Sequence, residues 1–302
     1  MIEKMKKILI ATDLSANAMN AAKYGYSIAA DLKAKLVLCN AFIVPAELPE
    51  SAMIAWPKFE YDELLKVSEK ELKALETELR EIQTSGDFVP EIERINVDGR
   101  VHDVIADQVK KMQIDLVIAG AHGSNWLNGA IKGNNAHRFI DSATYPLLLV
   151  PSVAEYKPIR KFAFATDLVQ PKKDLAAIYN LLPLLKKLNA ELLITHVYDE
   201  ADHPDKFKKN IEGFLRELSN KANYPNIYYR LVKSGTAEKG LNWLCQFGDV
   251  DILVMVHREK SLLRELFEGS HTRKMIDQIS IPLLVLPSSR LELKKYLLRL
   301  FL

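Results

Sequence analysis

The chain repeats itself, and this constrains its fold more than any other feature. Ala11-Thr12-Asp13-Leu14 returns 154 residues later as Ala165-Thr166-Asp167-Leu168. Tyr145-Pro146-Leu147-Leu148-Leu149-Val150-Pro151 returns 136 residues later as Ile281-Pro282-Leu283-Leu284-Val285-Leu286-Pro287. Matching markers near both ends of the copies indicate a tandem duplication. With 302 residues, each copy has the size of an ordinary domain. The boundaries that follow are a first domain at 1–151, a short polar linker at 152–159, a second domain at 160–287 and a tail at 288–302. The fall in offset is expected from a shorter insert before the second copy's longer helix. Two covalently joined copies are expected to pack as a pseudo-twofold pair, covering each other's edge strands or last-strand faces.

Within a copy, apolar runs alternate with helical patterns. Ile8-Leu9-Ile10-Ala11, Leu36-Val37-Leu38-Cys39, Leu116-Val117-Ile118-Ala119 and Pro146 to Val150 are unbroken apolar strands, the kind covered on both faces. Ile92 to Val97 alternates and is a further strand. Between them lie an Ala-rich helix from Ala16 to about Leu32 with Ser15 as its N-cap, a charged amphipathic helix from about Glu60 to Gln83, and a short helix from Val101 to about Met112. A fourth helix, to about Ser142, follows the Gly120 loop. This order predicts an α/β fold: two tandem doubly wound domains, each a mostly parallel sheet flanked by helices and joined by right-handed crossovers. In such sheets ligands bind beyond the carboxyl ends of the strands, where strand order reverses.

The Leu116 strand runs into Gly120-Ala121-His122-Gly123, and Gly133-Asn134-Asn135 opens the next helical pattern. Strand, glycine loop and helix N-terminus can form a phosphate cradle of backbone donors, although spaced glycines also serve plain turns. The spacing of Gly120, Gly123 and Gly133 resembles the nucleotide loop of the universal stress protein family, and the resemblance runs from Lys6 to Pro287. It implies a five-stranded, adenine nucleotide alpha hydrolase-like sandwich in each domain. It further implies ATP or AMP binding in many members, with no metal beyond nucleotide-bound Mg, and a role in stress survival rather than a defined reaction. By the same resemblance Asp13 sits beside the adenosine, the backbone of Ala41 meets the adenine edge, and Gly120, His122, Gly123, Gly133, Asn134 and Asn135 form the phosphate loop. Asp13 has a second role open to it, an Asx turn capping the first helix. The chain departs from the family at Asn134, where Ser or Thr is usual, and at Ser124, where Arg is frequent. These departures favour an alternative, a stress protein that works through partners without nucleotide.

No carboxylate partner for His122 can be assigned from sequence, so no catalytic residue is expected, and a slow ATP hydrolase is the third reading. The seven histidines show no metal-ligand spacing. In the second copy, Met255 is aligned with Gly120 and Arg258 with Gly123, while Gly269-Ser270 falls one residue late. The second site is therefore expected to be degenerate and closed to ATP, with His257, Arg258 and His271 forming a solvated charged loop or, as the lesser reading, meeting a different anion. A net charge of +2 gives no reason to expect a nucleic-acid partner. Cys39 and Cys245 lie in apolar segments, and no apolar run reaches the ~20 residues of a membrane span, so a cytoplasmic protein is expected. In the tail, Leu293, Tyr296, Leu297, Leu300 and Phe301 share one helical face that would dock on its own domain or on a second chain in a homodimer, with a membrane-surface helix as the minority reading.

Overall fold

The computed structural model describes residues 6–42, 58–83, 86–121, 143–199, 204–258 and 280–287, with the side chains of 58–61 and 204–210 left aside. The first domain contains β1 (Lys7–Thr12), α1 (Ala16–Asp31), β2 (Lys35–Phe42), α2 (Lys58–Arg80), β3 (Ile92–Asp98), α3 (Val101–Met112), β4 (Leu116–Gly120) and β5 (Leu147–Val150). The second contains β6 (Lys161–Ala165), α4 (Pro171–Leu188), β7 (Glu191–Tyr198), α5 (Pro204–Ala222), β8 (Ile227–Lys233), α6 (Ala237–Phe247), β9 (Ile252–His257) and β10 (Leu283–Pro287). The alternation of apolar runs and helical patterns thus becomes five strands per domain, and each expected helix within the described residues is present.

The apolar runs are explained by their two covers. In β1, Ile8 and Ile10 pack toward α1 and α2, while Leu9 and Ala11 pack toward α3 on the other face. Ser15 caps α1 as expected, its Oγ accepting from the Ala18 N–H at 3.3 Å. Gly99, at φ +137°, makes the turn from β3 into α3 that a side chain would strain.

The two sheets fuse. Their ten strands run β3-β2-β1-β4-β5-β10-β9-β6-β7-β8, parallel within each domain. At the join β5 and β10 are antiparallel, with Leu149 against Leu283 and Leu148 against Leu284. Each domain therefore covers the other's last-strand edge, one of the two arrangements expected from the duplication. The linker is held as well: Asn20 Nδ2 donates to the carbonyls of Pro151 and Ala154, both at 3.0 Å, and Tyr156 donates to Asp31. The Tyr156 ring meets Tyr24 edge-on at 5.1 Å. A small apolar cavity of about 40 Å³ lies at the join, lined by Leu116, Leu148, Ile159, Phe162, Leu188 and Leu284 among others.

The shorter insert is present, 5 residues between β7 and α5 against 15 between β2 and α2, and only the length of the helix after it departs from expectation. The helix after the second strand is shorter in the second copy, 19 residues in α5 against 23 in α2. The first helix is the longer one there, 18 residues in α4 against 16 in α1. Among the described residues no helix is long and apolar enough to cross a membrane.

Candidate functional site

In the first domain strand order reverses between β1 and β4, so the crevice at their carboxyl ends is the place for a ligand. Asp13 follows β1, Ala41 lies near the end of β2, and Gly120 ends β4. The register Thr12↔Asn40 and Ala11↔Ala119 brings these three to one edge. His122, Gly123, Gly133, Asn134 and Asn135, together with the fourth helix, lie outside the described residues.

Asp13 performs the local task expected of it. Its Oδ1 accepts from the Ser15 N–H at 3.0 Å, and Thr12 Oγ1 accepts from the Leu14 N–H at 3.0 Å. Those bonds hold Leu14 in the left-handed region, φ 62°, and aim Ser15 at the helix. Among the described residues only one carboxylate oxygen is used. Oδ2 is buried and has no hydrogen-bond partner among the described residues. A buried carboxylate oxygen without a donor is costly, so a donor belongs there.

Gly120 is bare for a packing reason. A Cβ on it would sit 3.2 Å from the Asn17 carbonyl oxygen and 3.3 Å from its carbon. Without a side chain at this point, the first turn of α1 closes directly over the end of β4. Ala41 is half-buried beside Val97.

The end of β9 in the second domain is built differently from expectation. Ile8 pairs with Leu116 and its counterpart Phe162 pairs with Ile252, so the offset between β4 and β9 is 136 residues. Val256 therefore stands at the position of Gly120, Arg258 at that of His122 and Glu259 at that of Gly123. Alignment from the loops, which sets Met255 and Arg258 against the glycines, is one residue out. Met255 is 1% exposed and packs in the core rather than projecting into a ligand space. By the same offset Gly269 matches Gly133 without a slip, although it too lies outside the described residues.

Arg258 does not belong to a solvated loop. Its side chain is 5% exposed and forms an ion pair with Asp174, which is 2% exposed, and a longer one to Asp167 Oδ1 at 3.7 Å. Thr166 Oγ1 donates to the other oxygen of Asp174 at 2.7 Å. Burial lowers the pKa of Arg258 and the adjacent Asp167 carboxylate pushes it back up. His196 Nδ1 lies 2.8 Å from the Thr166 carbonyl oxygen on the same edge. The helix start has changed with this cluster: Gln170 caps α4 without a side-chain bond, and Pro171 takes the first turn. Asp174 occupies the helix position of Asn20 in the first copy. An acidic residue near the start of an apolar helix, paired with an Arg after the fourth strand, was the signal available for this cluster.

The profile described as "Universal stress protein family" matches residues 4–151 and again 158–287. No curated protein sequence matches the chain. Among solved structures, the chain is similar in fold to a universal stress protein from Archaeoglobus fulgidus DSM 4304, at 14% identity and TM-score 0.62, covering 93% of this chain and 96% of that one. It is also similar to a putative universal stress protein from Pseudomonas aeruginosa UCBPP-PA14, at 15% identity and TM-score 0.57, covering 98% of each chain. Two profile matches over most of the sequence, on two copies of one doubly wound domain, show that the chain belongs to the universal stress protein family as a tandem two-domain member.

Proposed function

We propose that this is a cytoplasmic stress-response protein that holds one adenine nucleotide, ATP or AMP, at the carboxyl edge of its first domain. The contrast between two equivalent aspartates carries this reading. Asp13 keeps a buried carboxylate oxygen with no donor among the described residues, whereas Asp167 faces the guanidinium of Arg258. A ribose hydroxyl or adenine N–H would supply Asp13 with its missing donor. The Ala41 backbone meets the adenine edge. The phosphates and any Mg they carry meet the bare backbone of Gly120, Gly123 and Gly133, with His122 and the amides of Asn134 and Asn135 beside them.

In the second domain Arg258 pairs with Asp174 and Asp167, so Asp167 already has a cationic partner where Asp13 has none among the described residues. The function proposed is binding rather than turnover. A reducing compartment suits Cys39 and Cys245, both buried free thiols.

Calorimetric titration with MgATP tests the reading. One site per chain is expected, with affinity weakened at least about tenfold by Asp13→Ala. Two sites would contradict the reading of the second domain as degenerate. Failure to bind at all would favour the nucleotide-independent reading that Asn134 and Ser124 support.

A further inference from the structure

The ten-stranded sheet ends at β3 in the first domain and at β8 in the second, and the two edges differ in kind. Ile92 pairs with Leu36 and Ile227 with Leu192, so Tyr228 and Tyr229 stand where the first domain has Glu93 and Arg94, and Leu231 stands where it has Asn96. In the first domain these positions are polar and engaged: Arg94 pairs with Glu76 at 3.2 Å, and Asn96 accepts from Ser68 at 2.7 Å. The exchange recurs on the next helix. Asp107 and Lys111 form an ion pair at 2.7 Å on α3, while α6 carries Trp243 and Phe247 at those positions, their rings 6.1 Å apart. Tyr228, Tyr229 and Leu231 are 50%, 60% and 39% exposed, and Trp243 and Phe247 are 47% and 68% exposed. Charged side chains normally keep an edge strand from pairing with another chain; this edge has tyrosines in place of Glu93 and Arg94, while its charges sit at Arg230, in place of Ile95, and at Lys233.

The outward peptide groups of β8 can be assigned. The Asn226 carbonyl accepts from Leu192 N–H at 2.8 Å, and Ser234 N–H donates to the Tyr198 carbonyl at 3.0 Å. Even-numbered residues of β8 therefore turn their peptide groups toward β7, and Ile227, Tyr229 and Leu231 turn theirs outward. Ile227 packs against the core beneath α4 and α5. Tyr229 and Leu231 share that face, and Tyr228 and Arg230 share the face of α6.

We propose that β8 is an interface between two copies of the chain, paired antiparallel about a twofold axis normal to the sheet. Such an axis keeps the two helix-covered faces aligned. Centred on Tyr229, it sets Tyr229 against Tyr229 and Ile227 against Leu231, each pair exchanging its outward backbone hydrogen bonds. The same register lays Arg230 against Tyr228 of the second copy, a guanidinium over an aromatic face. Centring on Arg230 instead would oppose two like charges. The self-complementary register is thus also the one that covers the apolar residues, and it repeats the antiparallel, face-preserving join already made by β5 and β10.

Sedimentation velocity and light scattering at tens of micromolar should give twice the 34.2 kDa of the chain. The double substitution Tyr229→Lys with Leu231→Lys should halve that mass while the far-UV spectrum holds. As a second readout, Tyr229→Cys should form a chain-to-chain disulfide under oxidation, whereas Arg230→Cys should not, its two copies lying beyond the ~7 Å limit between Cα atoms. Cys39 and Cys245 are buried and add no background. A monomer at these concentrations, a dimer indifferent to the lysine pair, or crosslinking through position 230 in place of 229 overturns the proposal. So does a dimer lost on deleting 288–302 but untouched by the lysines, which would assign association to the tail.

Discussion

Arg258→Ala removes one guanidinium and leaves Asp174 and Asp167 without it at the carboxyl edge of the second domain. The pair it breaks is almost dry, with Arg258 5% and Asp174 2% exposed, so solvent screens it little. Breaking a buried pair by deleting one partner costs about 3–5 kcal/mol, because the remaining charge stays buried. Two features pull the expected loss toward the lower end of that range. Asp174 keeps its bond from Thr166 Oγ1 at 2.7 Å, and Asp167, 17% exposed and 3.7 Å from the guanidinium, loses little. Urea unfolding followed by far-UV circular dichroism should therefore show a loss of roughly 3 kcal/mol in the transition of the second domain. Adding Asp174→Asn should return part of it, since the stranded charge is then gone, and the double-mutant cycle should give a coupling of more than about 1 kcal/mol. A single Arg258→Ala variant within about 0.5 kcal/mol of the parent would refute the reasoning and remove Arg258 from the pair.

Gly120→Ala should destabilise the first domain by about 1–3 kcal/mol in the same assay, because the new Cβ meets the Asn17 carbonyl at 3.2 Å and that neighbour is backbone. Burial pushes the thiols of Cys39 and Cys245 up to about 12 from 9.0, so the stability they contribute is full below about pH 9 and is lost as pH rises through 12. Urea midpoints measured between pH 8 and 11 should fall more steeply in the parent than in Cys39→Ala, by up to about 1.4 kcal/mol per pH unit. An equal slope in both would count against a buried thiol.

Much of the architecture is legible in the residues because the determinants are local. Apolar runs two-sidedly buried, Ser15 as a cap and Gly99 at a turn each act over a few positions, and the recurrence of Ala-Thr-Asp-Leu marks both first strands. The Arg258 cluster of the second domain is only half legible in the residues. Its cause is a contact between residues 84 positions apart, Arg258 and Asp174, which only the sheet order brings together. Arg258 taken alone is a charge after a strand, and charges there are ordinarily solvated. The one-residue slip at Met255 has a related origin. Eroded loops hold no landmark, while strand pairing fixes the position through Phe162 and Ile252. Of the first site, Asp13, Ala41 and Gly120 gather at one edge as the topology required. The open oxygen of Asp13 was not readable, since its turn role alone accounts for the residue.

A crystal structure grown with saturating MgATP measures the central claim most directly. The account predicts one nucleotide per chain, beside Asp13 and Gly120, with Arg258 still held by Asp174. Density for a nucleotide against Asp167 with an empty first domain would contradict it.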